Sequence, residues 1–275
     1  MTTLIRTVGA EIDVEVYDTT QIELQLAVAR VPGLEVDDAI TVTLDGAPID
    51  PVEVPIPQGG VMHLLDQVRP GKLEVRYQAT VTGTSPALDG DPYDLSVMRR
   101  PSRYVGSDTF GGFAMQEFGE LSHDQLLTAV SSWVGTRLDY VPGSSGPTDG
   151  AADTLLNGAG VCRDYAHLVI ALMRALGIPA RLTAVYAPGC DPMDFHAVAE
   201  AWVQGADGPG WYVVDATALA PRSTLVRIAT GRDAADTAFM TNNGGNLWLA
   251  RSEVTAVVTQ PGLPDDDLDV MVQLG

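Results

Sequence analysis

The chain has 275 residues, 45% of them hydrophobic, which is enough for a packed core in one large domain or two modest ones. Its formal net charge of −20 at pH 7 repels phosphate backbones and anionic membrane surfaces, so we expect neither nucleic acid nor a membrane as a partner. Its two cysteines are too few for a disulfide scaffold and suit a reducing compartment.

The first thirty residues show no basic region followed by an apolar run, so no secretion signal is expected. Charged residues, glycine or proline interrupt every apolar run before it reaches the roughly 20 residues that span a bilayer. These features predict a cytoplasmic protein.

From Glu11 to Val81 apolar residues recur mostly at every second position, which is the period of half-buried strands. Turn signals such as Asp45-Gly46 and Pro70-Gly71 separate the runs at spacings typical of an antiparallel sandwich. Residues 1–83 are therefore predicted to form an N-terminal antiparallel β-sandwich domain, followed by a linker rich in glycine, serine and proline.

Helical signals begin at Ser122, where a capping sequence precedes apolar residues at helical spacing. A short helix is predicted from Ala151, and a longer one begins at Cys162 with the cysteine in its first turn. Three strands are predicted after this helix: Ala180 to Tyr186, His196 to Val203 and Trp211 to Asp215. The expected organisation is α+β, with a second domain over residues 84–262 in which the helix packs on an antiparallel sheet. Residues 263–275 are predicted to be a solvated acidic tail.

Cys162 is the candidate nucleophile. A thiol in the first turn of a helix faces unpaired backbone N–H groups and the positive end of the helix dipole, and both favour the thiolate form. The preceding Gly158 and Gly160 would allow a substrate backbone to approach the sulfur closely. The alternative is that Cys162 is a small buried hydrophobe, as most free cysteines are. Cys190 is interpreted as an incidental loop cysteine, or as a residue at the mouth of the cleft.

A thiolate nucleophile needs a base that later protonates the leaving amine, and imidazole does both near neutral pH. Of the four histidines, His196 opens a strand from which its side chain can project over a neighbouring helix end. His63 and His123 are predicted to be structural or exposed. His167 lies about 140° around the helix from Cys162 and is predicted to be a core residue.

Asp215 ends the strand that follows His196, where a carboxylate can fix the tautomer of the imidazole. A cysteine at a helix start, a histidine at a strand start and an aspartate at the end of the next strand occur in this order in papain-like cysteine hydrolases. The predicted catalytic residues are therefore Cys162, His196 and Asp215.

The backbone N–H of Cys162 is the predicted first donor to an oxyanion, because it is unpaired at the helix start. The second donor stays open among Tyr104, Tyr140 and Tyr165. Two arginines, Arg163 and Arg232, either bind a substrate carboxylate or pair with nearby aspartates.

Several segments resemble bacterial transglutaminase-like proteins, densely from about Pro101 to Met240. This resemblance implies a papain-like core behind an N-terminal β domain, and it places Cys162, His196 and Asp215 at the family's catalytic cysteine, histidine and aspartate. The similar segments are Gly160–Leu168, Arg174–Arg181, Asp194–Ala197, Trp211–Thr217 and Arg227–Asp236.

Calcium-dependent crosslinking transglutaminases have glutamine and tryptophan on either side of the cysteine, whereas this chain has Val161 and Arg163. Crosslinking is therefore not implied. The expected function is acyl transfer from amide, peptide or isopeptide bonds through a thioester at Cys162, with hydrolysis favoured, no cofactor and no metal. Two alternatives stay open, a non-catalytic binding module with the same fold and a metal site built from Cys162, His167, His196 and Asp215.

Overall fold

The computed structural model describes residues 3–205, 208–260 and 262–275. Strands dominate the chain up to Gly83, and helices and strands are mixed after it. Short 3-10 helices lie at Pro57–Gly59, Ser107–Thr109 and Arg222–Thr224. The strands are β1 (Ile5–Val16), β2 (Thr20–Leu24), β3 (Leu34–Leu44), β4 (Ala47–Pro48), β5 (Val52–Pro55), β6 (Val61–Val68), β7 (Gly71–Gly83), β8 (Asp139–Tyr140), β9 (Ala159–Gly160), β10 (Ala180–Tyr186), β11 (His196–Gly205), β12 (Gly208–Val214), β13 (Val226–Gly231), β14 (Met240–Gly244) and β15 (Leu247–Gln260). The helices are α1 (Pro92–Val97), α2 (Gly111–Phe118), α3 (His123–Arg137), α4 (Ala151–Asn157), α5 (Cys162–Ala175) and α6 (Ala234–Thr237).

The N-terminal strands build an antiparallel sandwich of two sheets. One sheet has the order β15-β1-β7-β3-β4 and the other has the order β14-β2-β6-β5. Their inward side chains, such as Ile12, Leu24 and Val75, are completely buried in one hydrophobic core. Alternating apolar residues put one face of each strand into this core, as the period of two predicts.

The second part of the chain packs helices on an antiparallel sheet of order β12-β11-β10-β13. Helix α5 lies against this sheet and against α3 and α4, and its residues from Asp164 to Arg174 are buried. Cys162, at the start of α5, is therefore held by a fully packed helix. The predicted α+β architecture is confirmed, including the helix that begins at Cys162.

The chain returns to the sandwich after the sheet formed by β10 to β13. Strand β15 pairs along the whole of β1, and β14 pairs with β2. Residues 240–260 are therefore part of the sandwich, although the sequence analysis assigned them to a domain over residues 84–262. The predicted boundary is wrong here because strand partners distant in sequence leave no local signal.

The predicted solvated tail over residues 263–275 also differs from the structure. Leu274 is buried, and the backbone N–H of Val213 donates to the carbonyl of Val272 at 2.8 Å. The carboxylate of Asp266 pairs with Arg222 at 2.9 Å. This segment is therefore bound to the molecule, because it carries apolar side chains and an ion-pair partner as well as its exposed aspartates.

Candidate active site

The start of α5 is shaped by the segment before it. Helix α4 is capped at its C-terminus by Gly158, whose φ of 66° is the left-handed conformation that glycine adopts readily. Strand β9 then pairs in parallel with β8, with Gly160 opposite Tyr140. The carboxylate of Asp164 accepts from the backbone N–H of Val161 at 2.8 Å and so caps α5. These contacts fix the position of Cys162.

Asp164 is completely buried and has several further partners. It accepts from the hydroxyl of Ser145 at 2.5 Å and pairs with Arg163 at 2.8 Å. Arg163 also donates to the carbonyl of Gly146 at 2.8 Å. Its guanidinium is therefore occupied by the protein, which favours the pairing interpretation over a substrate carboxylate. Arg232 likewise pairs with Asp236, at 2.8 Å.

His196 opens β11, and Asp215 directly follows β12. The Nε2 atom of His196 lies 2.8 Å from Oδ2 of Asp215, and both side chains are almost completely buried. The other oxygen of Asp215 accepts from the backbone N–H and the hydroxyl of Thr217, at 3.0 and 2.7 Å. The carboxylate is therefore fully hydrogen-bonded and fixes the imidazole ring.

The electrostatics of this pair favour charge on both groups. Burial opposes protonation of His196, but the charge and hydrogen bond of Asp215, together with the Cys162 thiol, raise its pKa well above the usual value. Burial also opposes ionisation of Asp215, but His196 and Thr217 hold its pKa below the usual value. Imidazolium and carboxylate therefore stabilise each other in a buried site.

The Cys162 thiol completes this arrangement. Because Nε2 of His196 is held by Asp215, Nδ1 is the nitrogen left to face Cys162, which lines the same cavity as His196. The sulfur lies 3.8 Å from the carbonyl oxygen of Phe195, the residue before His196. The structure thus brings together the three residues that the sequence analysis selected. Their catalytic roles remain a prediction.

The other histidines lie elsewhere, as the sequence suggested. His63 is buried in β6, and His123 is exposed at the start of α3. His167 is buried, stacks on Tyr104 with ring centroids 5.5 Å apart and accepts from the backbone N–H of Ala234. Burial lowers its pKa to about 4. Within residues 3–205, 208–260 and 262–275, no group of three or more possible metal ligands is found.

Of the three tyrosines considered as oxyanion donors, Tyr140 lies beside the nucleophile. Tyr165 donates its hydroxyl to the carbonyl of Leu138 at 2.6 Å, and Tyr104 stacks on His167. Burial raises the pKa of Tyr140, the nearby Cys162 and Cys190 thiols add to the shift, and the Cys162 backbone N–H opposes it. The Tyr140 hydroxyl therefore keeps its proton and can donate.

Cys190 is buried in an apolar cluster, and its thiol lies 3.5 Å from the carbonyl oxygen of Pro192. Burial raises the pKa of this thiol, and nearby carboxylates and Cys162 act in the same direction. Cys162 is more exposed than Cys190. The two cysteines therefore differ in both exposure and surroundings.

A cavity of about 240 Å³ opens beside Cys162 and His196. One of its walls comes from the sheet of strands β10 to β13, with Leu182 and Ile228, and another comes from the sandwich, with Gln25. The sequence analysis missed Gln25, which resembles any polar residue at the end of a strand. No local signal marks it, because its place at the cavity depends on how the sandwich packs against the core.

Residues 115–216 match the core of the transglutaminase-like superfamily. An uncharacterized protein of Mycobacterium leprae is 33% identical over 119 residues, which cover 42% of this chain and 42% of that protein. An uncharacterized protein of Mycobacterium tuberculosis is 33% identical over 124 residues, covering 41% and 39% of the two chains. This chain thus spans about two fifths of the length of these curated relatives.

A solved structure from Cytophaga hutchinsonii, of a candidate cysteine protease, is 31% identical to this chain with a TM-score of 0.87. The match covers 99% of this chain and 98% of that one, so it includes the sandwich as well as the helices and sheet of the second part of the chain. No helix in the described ranges is long and apolar enough to span a membrane.

The family-model match and the solved structure that is 31% identical over almost the whole chain agree on the family. The chain belongs to the transglutaminase-like superfamily, a family of cysteine enzymes.

Proposed function

We propose that this protein is a cysteine-dependent acyl-transfer enzyme acting on amide, peptide or isopeptide bonds, with hydrolysis as its normal outcome. The observation that carries the proposal is the placement of His196, whose ring is hydrogen-bonded to Asp215 and lines the same cavity as Cys162. This placement beside an open cavity is what a nucleophile, a base and an orienting carboxylate require.

The proposed reaction has two steps. The Cys162 sulfur attacks the substrate carbonyl, the C–N bond breaks, and the imidazolium of His196 gives its proton to the leaving amine, which produces a thioester. His196 then removes a proton from water, the resulting hydroxide attacks the thioester, and the C–S bond breaks, which releases the acid and restores the Cys162 thiolate beside the imidazolium. Asp215 stays ionised throughout and stabilises the imidazolium.

Two donors are proposed for the oxyanion formed in each step. The first is the backbone N–H of Cys162 at the start of α5. The second is the hydroxyl of Tyr140, because β8 pairs with β9 immediately before the nucleophile. The other two candidate tyrosines have partners elsewhere.

Hydrolysis is favoured over crosslinking because Val161 and Arg163 replace the residues that flank the cysteine in crosslinking enzymes. Arg163 is also tied to Asp164. The proposed substrate is therefore a peptide or another amide-containing molecule, with water as the acyl acceptor.

The direct test is a screen of amide and peptide substrates with wild type, Cys162→Ala and Cys190→Ala in parallel. The two variants each lose one sulfur, so they are matched controls for a role of either thiol. We expect Cys162→Ala to lose at least about a thousandfold in turnover and Cys190→Ala to keep it. Turnover that survives in Cys162→Ala contradicts the proposal.

A second measurement separates an enzyme from a binding module with the same fold. In a Cys190→Ala background, iodoacetamide should alkylate Cys162 faster than it does when His196→Asn is added, because the imidazole stabilises the thiolate. Equal rates, together with ligand binding but no turnover in wild type, would indicate a binding module.

A further inference from the structure

We propose that the cavity beside Cys162 is a specificity subsite for the acyl part of the substrate. In this subsite a bulky apolar side chain fills the cavity, and Gln25 accepts a hydrogen bond from a substrate N–H. The inference rests on the proposed function, because it assigns the cavity to the acyl group that is transferred to Cys162. It makes the sandwich a contributor to substrate choice.

The size and lining of the cavity favour an apolar group. A cavity of about 150 Å³ holds benzene, so about 240 Å³ has room for a phenyl side chain. Aliphatic side chains from strands β10 and β13 form one wall, namely Leu182, Ala184 and Ile228. The rings of Phe195 and Phe239 stack at the cavity with centroids 4.8 Å apart and planes at 14°.

The charges at the cavity disfavour an acidic side chain. Arg163, the arginine of the lining, is already paired with the buried Asp164. Asp194 contributes a carboxyl group at the same cavity, next in sequence to Phe195. The imidazole of His196 also lines the cavity, but it is paired with Asp215. A substrate carboxylate would therefore meet the carboxyl group of Asp194 and no unpaired cation among the described lining residues.

Gln25 is the polar feature that needs a ligand. Its side-chain Nε2 donates to the carbonyls of Asp236 and Ala238, both at 3.2 Å, and its backbone N–H donates to the carbonyl of Phe239. The reversed amide would place an oxygen against two carbonyl oxygens, so the orientation is determined by these contacts.

With Nε2 occupied, Oε1 of Gln25 is an acceptor that no donor of the described chain satisfies. The oxygen is buried beside the cavity that Gln25 lines, so a small shift of the side-chain amide is what brings it within reach of a bound N–H group. A buried acceptor without a partner costs free energy, and an N–H group bound in the cavity would relieve that cost. An acyl group with an amide N–H next to an apolar side chain supplies both features.

The first test is binding to the Cys162→Ala protein, which keeps the cavity and removes the sulfur chemistry. The ligands are N-acetylglycinamide, N-acetylleucinamide and N-acetylphenylalaninamide, titrated by NMR with the backbone signals of Ala234 and Phe239 as reporters. We expect the phenylalanine ligand to bind about tenfold or more tightly than the glycine ligand, because its ring is buried. Equal affinities, or no binding of any of the three, would overturn the proposal.

The second test isolates Gln25. Methylation of the acetamido nitrogen of the phenylalanine ligand should weaken binding to Cys162→Ala about fivefold, through loss of one hydrogen bond. The penalty should disappear when Gln25→Met is added and persist when Gln21→Met is added, since Gln21 lies on β2, which ends just before Gln25, and bonds to exposed Asp66. A penalty that is the same in both double variants contradicts the role of Gln25.

Circular dichroism and thermal unfolding show whether Gln25→Met keeps the fold, since Nε2 also holds the segment before Phe239. The comparison of ligands in the Cys162→Ala protein does not need that variant and tests the apolar subsite by itself. Failure of the proposed function would appear differently, as turnover that does not depend on Cys162.

Discussion

His196 is buried, and its Nε2 atom is held by Asp215. The charge on the ring is stabilised mainly by this carboxylate, whose other oxygen accepts from Thr217, and Cys162 contributes in the same direction. The pKa of His196 therefore reports how strongly Asp215 stabilises the imidazolium.

We expect Asp215→Asn to lower the pKa of His196 and to reduce turnover by about a thousandfold, because asparagine keeps the shape but removes the charge. In wild type the imidazolium should persist well above pH 6.5, the usual range of histidine, and in the variant it should lose its proton at lower pH. NMR titration of the His196 ring protons measures both pKa values. Asp191→Asn, in the exposed loop before His196, is the control.

The same shift predicts how stability depends on pH. A raised pKa in the folded state means that the proton on His196 stabilises the fold below about pH 6.5, and that this contribution is lost as pH rises through the folded value. Urea unfolding of wild type should show this loss in alkaline solution. An identical pH dependence in Asp215→Asn would mean that the pair is not its source.

Local sequence signals predicted many of the single elements. The cap at Ser122 begins α3, and the alternation from Ala180 onwards gives the strands β10 and β11. Each of these signals is short-range, because capping and periodicity depend on neighbours within a few residues. The order of Cys162, His196 and Asp215 was readable for the same reason, since each side chain lies at the end of a predicted element.

Gly160, at the end of β9, shows how closely the nucleophile helix is packed. A Cβ atom on this residue would lie 2.6 Å from Cβ of Asp164, the residue that caps α5. We expect Gly160→Ala to displace Asp164, to destabilise the protein by about 2 kcal/mol and to lower turnover, because the contacts to Val161 and Arg163 would be lost. Urea unfolding and steady-state kinetics are the measurements.

The matched control is Gly112→Ala in α2, where a Cβ atom would meet nothing within 4 Å. Alanine is the better helix former, so this variant should be neutral or more stable by up to about 1 kcal/mol, with unchanged turnover. Equal effects of the two substitutions would show that the contact with Asp164 does not control the helix start.

Contacts between distant parts of the chain could not be predicted. Strand β15 alternates apolar residues as a strand should, at Leu247, Leu249, Val254 and Ala256, but alternation alone does not identify its partner as β1. The place of Gln25 at the cavity depends on the same long-range packing. The buried Arg6 shows its extent, donating to the carbonyls of Gly83, Leu225 and Gly275 at 2.6, 3.3 and 3.1 Å.

Substitution of two neighbouring residues, Asp265 and Asp266, tests whether residues 263–275 are bound to the folded protein or solvated. Asp266 pairs with Arg222 at 2.9 Å, with side-chain exposures of 16% and 8%, whereas Asp265 is exposed. Asp266→Ala should destabilise the protein by about 2 kcal/mol, because it leaves a nearly buried guanidinium with fewer acceptors. Asp265→Ala removes the same charge and should change stability by less than about 0.5 kcal/mol. Urea unfolding of both variants gives the comparison. Equal, small effects would mean that residues 263–275 are the solvated tail that their composition suggested, whereas a large effect of Asp266→Ala alone makes this segment part of the folded molecule.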